Sequence, residues 1–441
     1  MIPTRFILRS LLAGSLMIGS LHGVSHAQSI SPSTYKKLTD IQELLSASQF
    51  NQAIPALREL HGKVAKGSLS EAIVLQTWGY AEMANNQYDT AMQRFRQSLA
   101  VNQLPEDAAH NVRFMIAQLY AGEGQFKQAY EEANVWYAAL ETPKPAEHIF
   151  MANITAQLKR FDETIRYANA AIQAASQPKE NWLQLLLAAY FEKKDYARAA
   201  DTLKQLIVFK PDDARYWEQL ASVNMLLGRD RAALSALRLA WKQNLLDKEA
   251  VVKSMVQLAY SEGIPDHAAR LLTQAMAQNI LPADEDNLTI LASAWVAARE
   301  DQQAIAAYNR LADVSSSGDP LVRQAKILVD QRQWQAAQQA LSRALDRGVE
   351  NRGEALLLLG ITQIEAGNLA AAQTTLNQAQ GFDKVANQAA AWLAYAEQKR
   401  DHQRWLEENQ SVPLTPDNNS LEQNVQTHQR QRPTRLRLKA S

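Results

Sequence analysis

Two apolar templates alternate along the chain. In the first, Trp217, Leu220, Ala221 and Asn224 sit three and four residues apart, so large and small side chains share one helical face. A turn at Gly228 follows. The second template, Ala233, Leu237 and Ala240, has helical spacing too. Small residues let two antiparallel helices approach closely, and the large ones fill the grooves beside them. The pattern therefore predicts a helix, a tight turn and a second helix.

The alanine of the second template serves as a ruler. It recurs as Ala53, Ala91, Ala129, Thr164, Ala199, Ala233, Ala268, Ala304, Ala337 and Ala372, at spacings of 38, 38, 35, 35, 34, 35, 36, 33 and 35 residues. The ruler is read as opening the second helix of each pair. Twelve residues earlier lies the close-contact position of the first helix: Ile41, Gly79, Ala117, Ala152, Leu187, Ala221, Val256, Ala292, Ala325 and Gly360. The pairs carrying Ile41, Leu187 and Val256 should pack less closely or shift register. Three residues before the ruler stands an anchor, aromatic at Phe50, Tyr88, Phe126, Phe161, Tyr196 and Trp334, expected to plug its helix pair. Asp230, Pro265, Asp301 and Leu369 break that pattern. Turns are expected at Gly124, Gly228, Gly263 and Gly367. Pro105, Pro143, Pro145, Pro178, Pro211, Pro282 and Pro320 should separate the repeats. Pro55, read as two residues inside a second helix, predicts an irregular first repeat.

This unit resembles the tetratricopeptide repeat, a helix-turn-helix of about 34 residues. The resemblance implies an all-α protein, a right-handed superhelical solenoid of about ten such repeats over residues 34–385. A single repeat cannot bury its apolar face, so stability comes from stacking neighbours. Residues 386–408 read as a capping helix with Trp392, Leu393, Tyr395 and Ala396 facing inward. Residues 409–441, rich in Gln and Asn with Pro413, Pro416 and Pro433, read as a disordered tail.

The N-terminus changes the picture. Arg5 and Arg9 precede a short apolar core, Leu11 to Leu21, and then Ser25-His26-Ala27. This predicts a signal peptide over 1–27, cut after Ala27, and export to the periplasm if the source is Gram-negative. The rival reading is an uncleaved anchor. The chain has no cysteine, which excludes a lipid-anchored cysteine, disulfides and thiolate metal sites. No later stretch is apolar for about 18 residues, so no mature transmembrane span is expected. Cleavage would leave 44 basic against 46 acidic residues. Arg430, Arg432, Arg435, Arg437 and Lys439 concentrate positive charge at the end, which leaves a mildly acidic body ill suited to nucleic acid.

Candidate chemistry is sparse. His61, His110, His148, His267, His402 and His428 are scattered and read as surface or loop residues, with no metal-ligand spacing. Neighbouring acids such as Glu131 and Glu132 point apart on a helix. No catalytic residue, metal or cofactor is expected. Binding is the stronger lead, because stacked helix pairs present their first helices along a concave groove. Residues three before, one after and four after the close-contact position should face it. They are Gln76, Tyr80, Met83, Phe114, Gln118, Ile149, Asn153, Gln184, Phe191, Glu218, Met225, Lys253, Gln257 and Tyr260. Amides can pair with an extended peptide backbone, while aromatics and Met give adaptable contact. The plainer reading is that several of these only pack against neighbouring repeats. Tetratricopeptide domains that grip a chaperone's terminal carboxylate use Lys and Asn in successive first helices. Lys253 is the one Lys among these positions, so that role is not expected. The alternating Arg and Leu of Thr434 to Lys439 suit an added β-strand or anionic lipid, against the plainer reading of a frayed tail.

Finer likeness lies in Lys179-Glu-Asn-Trp-Leu-Gln-Leu-Leu-Leu-Ala-Ala-Tyr190, in Arg215-Tyr-Trp-Glu-Gln-Leu-Ala221, in Asn287 to Glu300 and in Gly353 to Gly360. These segments resemble the periplasmic tetratricopeptide protein associated with TonB–ExbB–ExbD energy-transduction systems. That resemblance implies a scaffold with protein partners of TonB, ExbB or ExbD type, accessory to transport. It defines no binding residues to carry over. A scaffold for outer-membrane or cell-envelope assembly, or for polysaccharide export, stays open beside it, as does an enzyme or small-ligand binder.

Overall fold

The computed structural model describes residues 30–409. The expected signal peptide and its cleavage site, and the expected tail from residue 410 onward, lie outside the described residues. Twenty-one helices and no strand occur among the described residues. The chain divides after Leu227 into two compact units.

The first unit holds five helix pairs and one further helix. The pairs are α1 (Pro32–Ser46) with α2 (Phe50–His61), α3 (Leu69–Ala84) with α4 (Tyr88–Ala100), α5 (Glu106–Gly122) with α6 (Phe126–Ala138), α7 (Pro145–Gln157) with α8 (Phe161–Ala174) and α9 (Glu180–Glu192) with α10 (Tyr196–Phe209); α11 (Ala214–Leu226) closes it. The second unit opens with α12 (Asp230–Lys242). It continues with α13 (Glu249–Ser261) and α14 (Pro265–Ala277), α15 (Glu285–Ala297) and α16 (Asp301–Val314), α17 (Asp319–Asp330) and α18 (Trp334–Arg347), α19 (Arg352–Glu365) and α20 (Leu369–Gln380), and ends in α21 (Ala386–Asn409). Odd-numbered helices up to α19 are A helices and carry the first template. Even-numbered ones are B helices and carry the second.

Each A helix is stopped by one backbone device. Five residues before every ruler position the chain takes a left-handed conformation: Ser48, Asn86, Gly124, Lys159, Lys194, Gly228, Gly263, Arg299, Arg332 and Gly367 have φ between 56° and 86°. At nine of the ten, all but Gly228, the next amide then reaches back to a carbonyl five residues earlier, as from Gln125 to Tyr120 (2.8 Å), Asp195 to Tyr190 (2.9 Å) and Gln333 to Leu328 (2.8 Å). This closes the helix end by satisfying orphan carbonyls. Glycine marked four of these turns in the sequence. The other six adopt the same geometry without it.

The register needs one correction. B helices begin on the anchor, so the ruler is their fourth residue, not their first. Asp230, Pro265, Asp301 and Leu369 also stand first in their helices. Pro55 is thus the sixth residue of α2, which runs unbroken from Phe50 to His61. The first repeat keeps both helices, and its extra length lies in the connection to α3.

All ten ruler residues are 0 % exposed. Gly79 and Gly360 sit where a Cβ would lie 2.6 Å from the Phe95 ring and from Leu376. The backbones of α1/α2, α9/α10 and α13/α14, whose contact positions hold Ile41, Leu187 and Val256, run in close approach over less of their length than those of α3/α4, α5/α6, α7/α8, α15/α16, α17/α18 and α19/α20. A branched side chain at the crossing holds the pair apart. At the end of the second unit, α21 buries Ala389, Trp392 and Ala396, with Leu393 and Tyr395 partly buried against the same core.

Candidate functional site: the A-helix face

Counted from the close-contact position, residues at −6, −3, −2, +1, +4 and +5 fall within one third of a helical turn, opposite the buried side. In α3 these are Ile73, Gln76, Thr77, Tyr80, Met83 and Ala84; in α5, Asn111, Phe114, Met115, Gln118, Ala121 and Gly122; in α7, Ala146, Ile149, Phe150, Asn153, Ala156 and Gln157. All eighteen are half-buried or exposed, while residues on the opposite side of the same helices, such as Leu75, Ile116 and Met151, are buried. The sequence-based set used only three of the six offsets. It missed Ile73, Thr77, Met115 and Phe150, which a full helical wheel would have found.

The candidate residues differ in setting. Tyr80 packs edge-on against Phe95 at 5.1 Å, and Gln76 hydrogen-bonds its hydroxyl. Burial raises the Tyr80 hydroxyl above the ordinary tyrosine range, and the Gln76 bond opposes this. Met83 is half-buried beside them. Phe114 stacks on Trp136 at 4.0 Å and meets the Phe150 ring edge at 5.1 Å, so two A helices share one aromatic platform. The Gln118 side-chain nitrogen is shut off from solvent without a hydrogen-bond partner. Asn153 is exposed.

Gln184 is committed locally, donating to Glu180 (3.0 Å) and to the Tyr216 hydroxyl (2.7 Å). Tyr216 in turn donates to Glu180 at 2.5 Å, and Lys210 pairs with the other oxygen at 2.9 Å. The Tyr216 bond, then that of Lys210, holds the Glu180 carboxyl below its usual range. This clamp ties α9 to α11, which is the packing role weighed for Gln184. Phe191 is half-buried against Tyr196 at 6.3 Å. Glu218 is half-buried on α11.

In the second unit, Tyr260 is exposed and Lys253 pairs with Glu249 at 2.7 Å. That bond raises Lys253 above its ordinary range, with Glu249, Asp284 and Asp286 adding to it.

The histidines depart from expectation. Those described lie on helices and are half-buried. His61 faces Glu71 at 3.3 Å and the Trp78 edge at 6.0 Å. His148 Nδ1 and the Tyr137 hydroxyl are 2.5 Å apart. Imidazole has an apolar body, and these rings fill space between helices. Glu132 pairs with Arg113 at 2.7 Å, while Glu131 is exposed. Among the described residues no group of three or more His, Cys, Asp or Glu is placed to hold a metal ion. No described helix is long and apolar enough to cross a membrane.

Residues 322–389 match the family model of the tetratricopeptide repeat. No curated protein matches the chain. Among solved structures, the C-terminal part of a tetratricopeptide repeat-containing protein from Cytophaga hutchinsonii is 14% identical with a TM-score of 0.34; the match covers 63% of this chain and 95% of that one. A tetratricopeptide repeat protein from Parabacteroides merdae is 15% identical with a TM-score of 0.29, over 58% of this chain and 98% of that one. YrrB, described as a tetratricopeptide repeat protein with an unusual peptide-binding site, is 12% identical with a TM-score of 0.33, over 38% and 84%.

Proposed function

We propose that this tetratricopeptide repeat protein is a periplasmic, non-catalytic scaffold that binds a protein partner along its A-helix face, as an accessory of a TonB-type transport system. The observation that carries the binding role is the face over α3, α5 and α7. Three consecutive A helices keep all eighteen positions half-buried or exposed, with amides beside aromatic and Met side chains. That composition fits adaptable contact with another chain. The groups able to do acid–base work are instead tied into separate structural pairs, such as His61 with Glu71 and Glu180 with Lys210. The TonB-type partner rests on the likeness of residues 179–221, 287–300 and 353–360 to that periplasmic protein, and the compartment rests on residues 1–27.

A photo-crosslinking residue placed at Met83 in intact cells tests this. The expected product contains a TonB-, ExbB- or ExbD-type component, and it diminishes in a Tyr80→Ala, Gln118→Ala variant of unchanged helicity. Unchanged capture by that variant, or capture only from B-helix positions, would overturn the reading. For the compartment, the protein released by osmotic shock should begin at Gln28; retention of Met1 would reject export by cleavage.

A further inference from the structure

We infer that the A-helix face over α1, α3, α5 and α7 selects an uncharged, extended polypeptide segment; this rests on the reading of that face as the binding surface. The argument is the distribution of charge. Across α1, α3, α5 and α7, the six face offsets give 24 positions, and none is Asp, Glu, Lys or Arg. In a chain that is 21% charged, about five would be expected there. The same offsets in α13, α15 and α17 carry Lys253, Asp286, Asp319, Arg323, Lys326 and Asp330. Within the first unit α9 carries Glu192 and α11 carries Arg215 and Glu218 at these offsets, so the neutrality belongs to the first four A helices and not to the repeat.

The charges that α3, α5 and α7 do carry are turned elsewhere. Glu82 is buried and accepts from the Trp78 ring nitrogen at 2.9 Å. Arg113 pairs with Glu132, Glu71 with His61, and Glu147 closes on the Lys144 amide at 2.6 Å. Glu106 and Asp107 stand in the first turn of α5, beyond the end of the face.

A charged partner laid on this face would lose water without gaining a counter-ion, at a cost that neutral groups avoid. A peptide backbone meets what the face offers. Gln42, Gln118 and Asn153 occupy the +1 position of α1, α5 and α7; the amides of Gln42 and Asn153 can donate and accept as they stand, while Gln118 must turn its nitrogen outward to donate. That nitrogen, closed off and without a partner within the protein, would gain a bond by turning to a docked backbone. Tyr80, Met83, Phe114 and Phe150 are left for apolar side chains of the partner. Amides on three of four successive A helices, with Tyr80 at the same position of α3, favour a chain that crosses them extended over one that presents a compact surface.

The test is selection from a phage-displayed library of random peptides of about twelve residues on the mature chain, with counter-selection on the Tyr80→Ala, Gln118→Ala variant. Enriched peptides should lack Asp, Glu, Lys and Arg across their contact segment. A representative should bind with less than about twofold change between low and high salt, since exposed charge pairs are what salt screens. Asn153→Asp, on an exposed side chain, should weaken it about tenfold. Enrichment of charged peptides that still depend on Tyr80 and Gln118 would overturn the neutrality while leaving the binding face intact. Enrichment indifferent to those residues would overturn the binding face itself. No enrichment, or displacement of the peptide by a neutral oligosaccharide such as maltohexaose, would overturn the polypeptide assignment.

Discussion

At the residue scale, the left-handed turn position decides more than its side chain does. Lys159, Lys194, Arg299 and Arg332 hold φ of 56° to 59°, a region that costs a residue with a Cβ roughly 1 kcal/mol. The helix-pair geometry imposes it, which is why glycine revealed only four turns in the sequence and the six others were illegible. Lys194→Gly should therefore stabilise by about 0.5–1 kcal/mol, the relief of strain being partly offset by a freer unfolded chain. A lowered melting temperature would reject this account. Gly318 is needed for a different reason. Its amide donates to Gly348 at 2.8 Å, and a Cβ there would run into the backbone carbonyl of Ala344. Backbone cannot swing aside as a ring or a methyl group can. Gly318→Ala should cost about 2–3 kcal/mol, measured by thermal melting, whereas Gly124, with open space where its Cβ would stand, should cost only the strain of its φ.

At the scale of the helix pair, the sequence was most informative where small residues meet. Gly79 against Phe95 and Gly360 against Leu376 are contacts a Cβ would close off, and Ile41, Leu187 and Val256 mark pairs held apart. The face was half legible. Offsets of −3, +1 and +4 from the close-contact position found Tyr80, Phe114 and Gln118 but passed over Phe150 at −2. They also included Gln184, whose bond to Tyr216 depends on a helix 32 residues away. Polar partnerships across repeats leave no spacing to read. The joint between α6 and α7 shows the same limit, since nothing in the sequence links Tyr137 to His148. Burial pushes His148 below the ordinary histidine range, Glu147 opposing it, and burial does the same to His267, assisted by Arg238. A depressed histidine favours the neutral ring when folded, so its contribution is present above the unfolded value near 6.5 and is lost as pH falls through the folded one. Melting temperature should drop between about pH 7 and 5, before carboxylates titrate. His148→Phe should flatten that drop. A melting temperature that rises over this interval would contradict the burial argument.

At the scale of the whole molecule, the repeat length was the most legible feature, because spacings of 33 to 38 residues over ten rulers fix helix, turn and helix alike. The division after Leu227 was not, since the period runs through it without a break. A stack of this kind is stabilised by terms between neighbours, and damage should spread only as far as those terms couple. Gly318 lies in the turn before α17, locked against Gly348 and the α18 end, with Asp319 accepting from the Glu350 amide at 3.2 Å. Disturbing it should loosen α16 to α19 first. Hydrogen exchange on Gly318→Ala should thus show faster amides in α16–α19 and unchanged protection in α3–α7, with peptide affinity at the first unit's A-helix face preserved. Exchange that rises equally in both units would mean that the chain opens as one cooperative body. The face on α3, α5 and α7 would then depend on every repeat, and not on the few helices that build it.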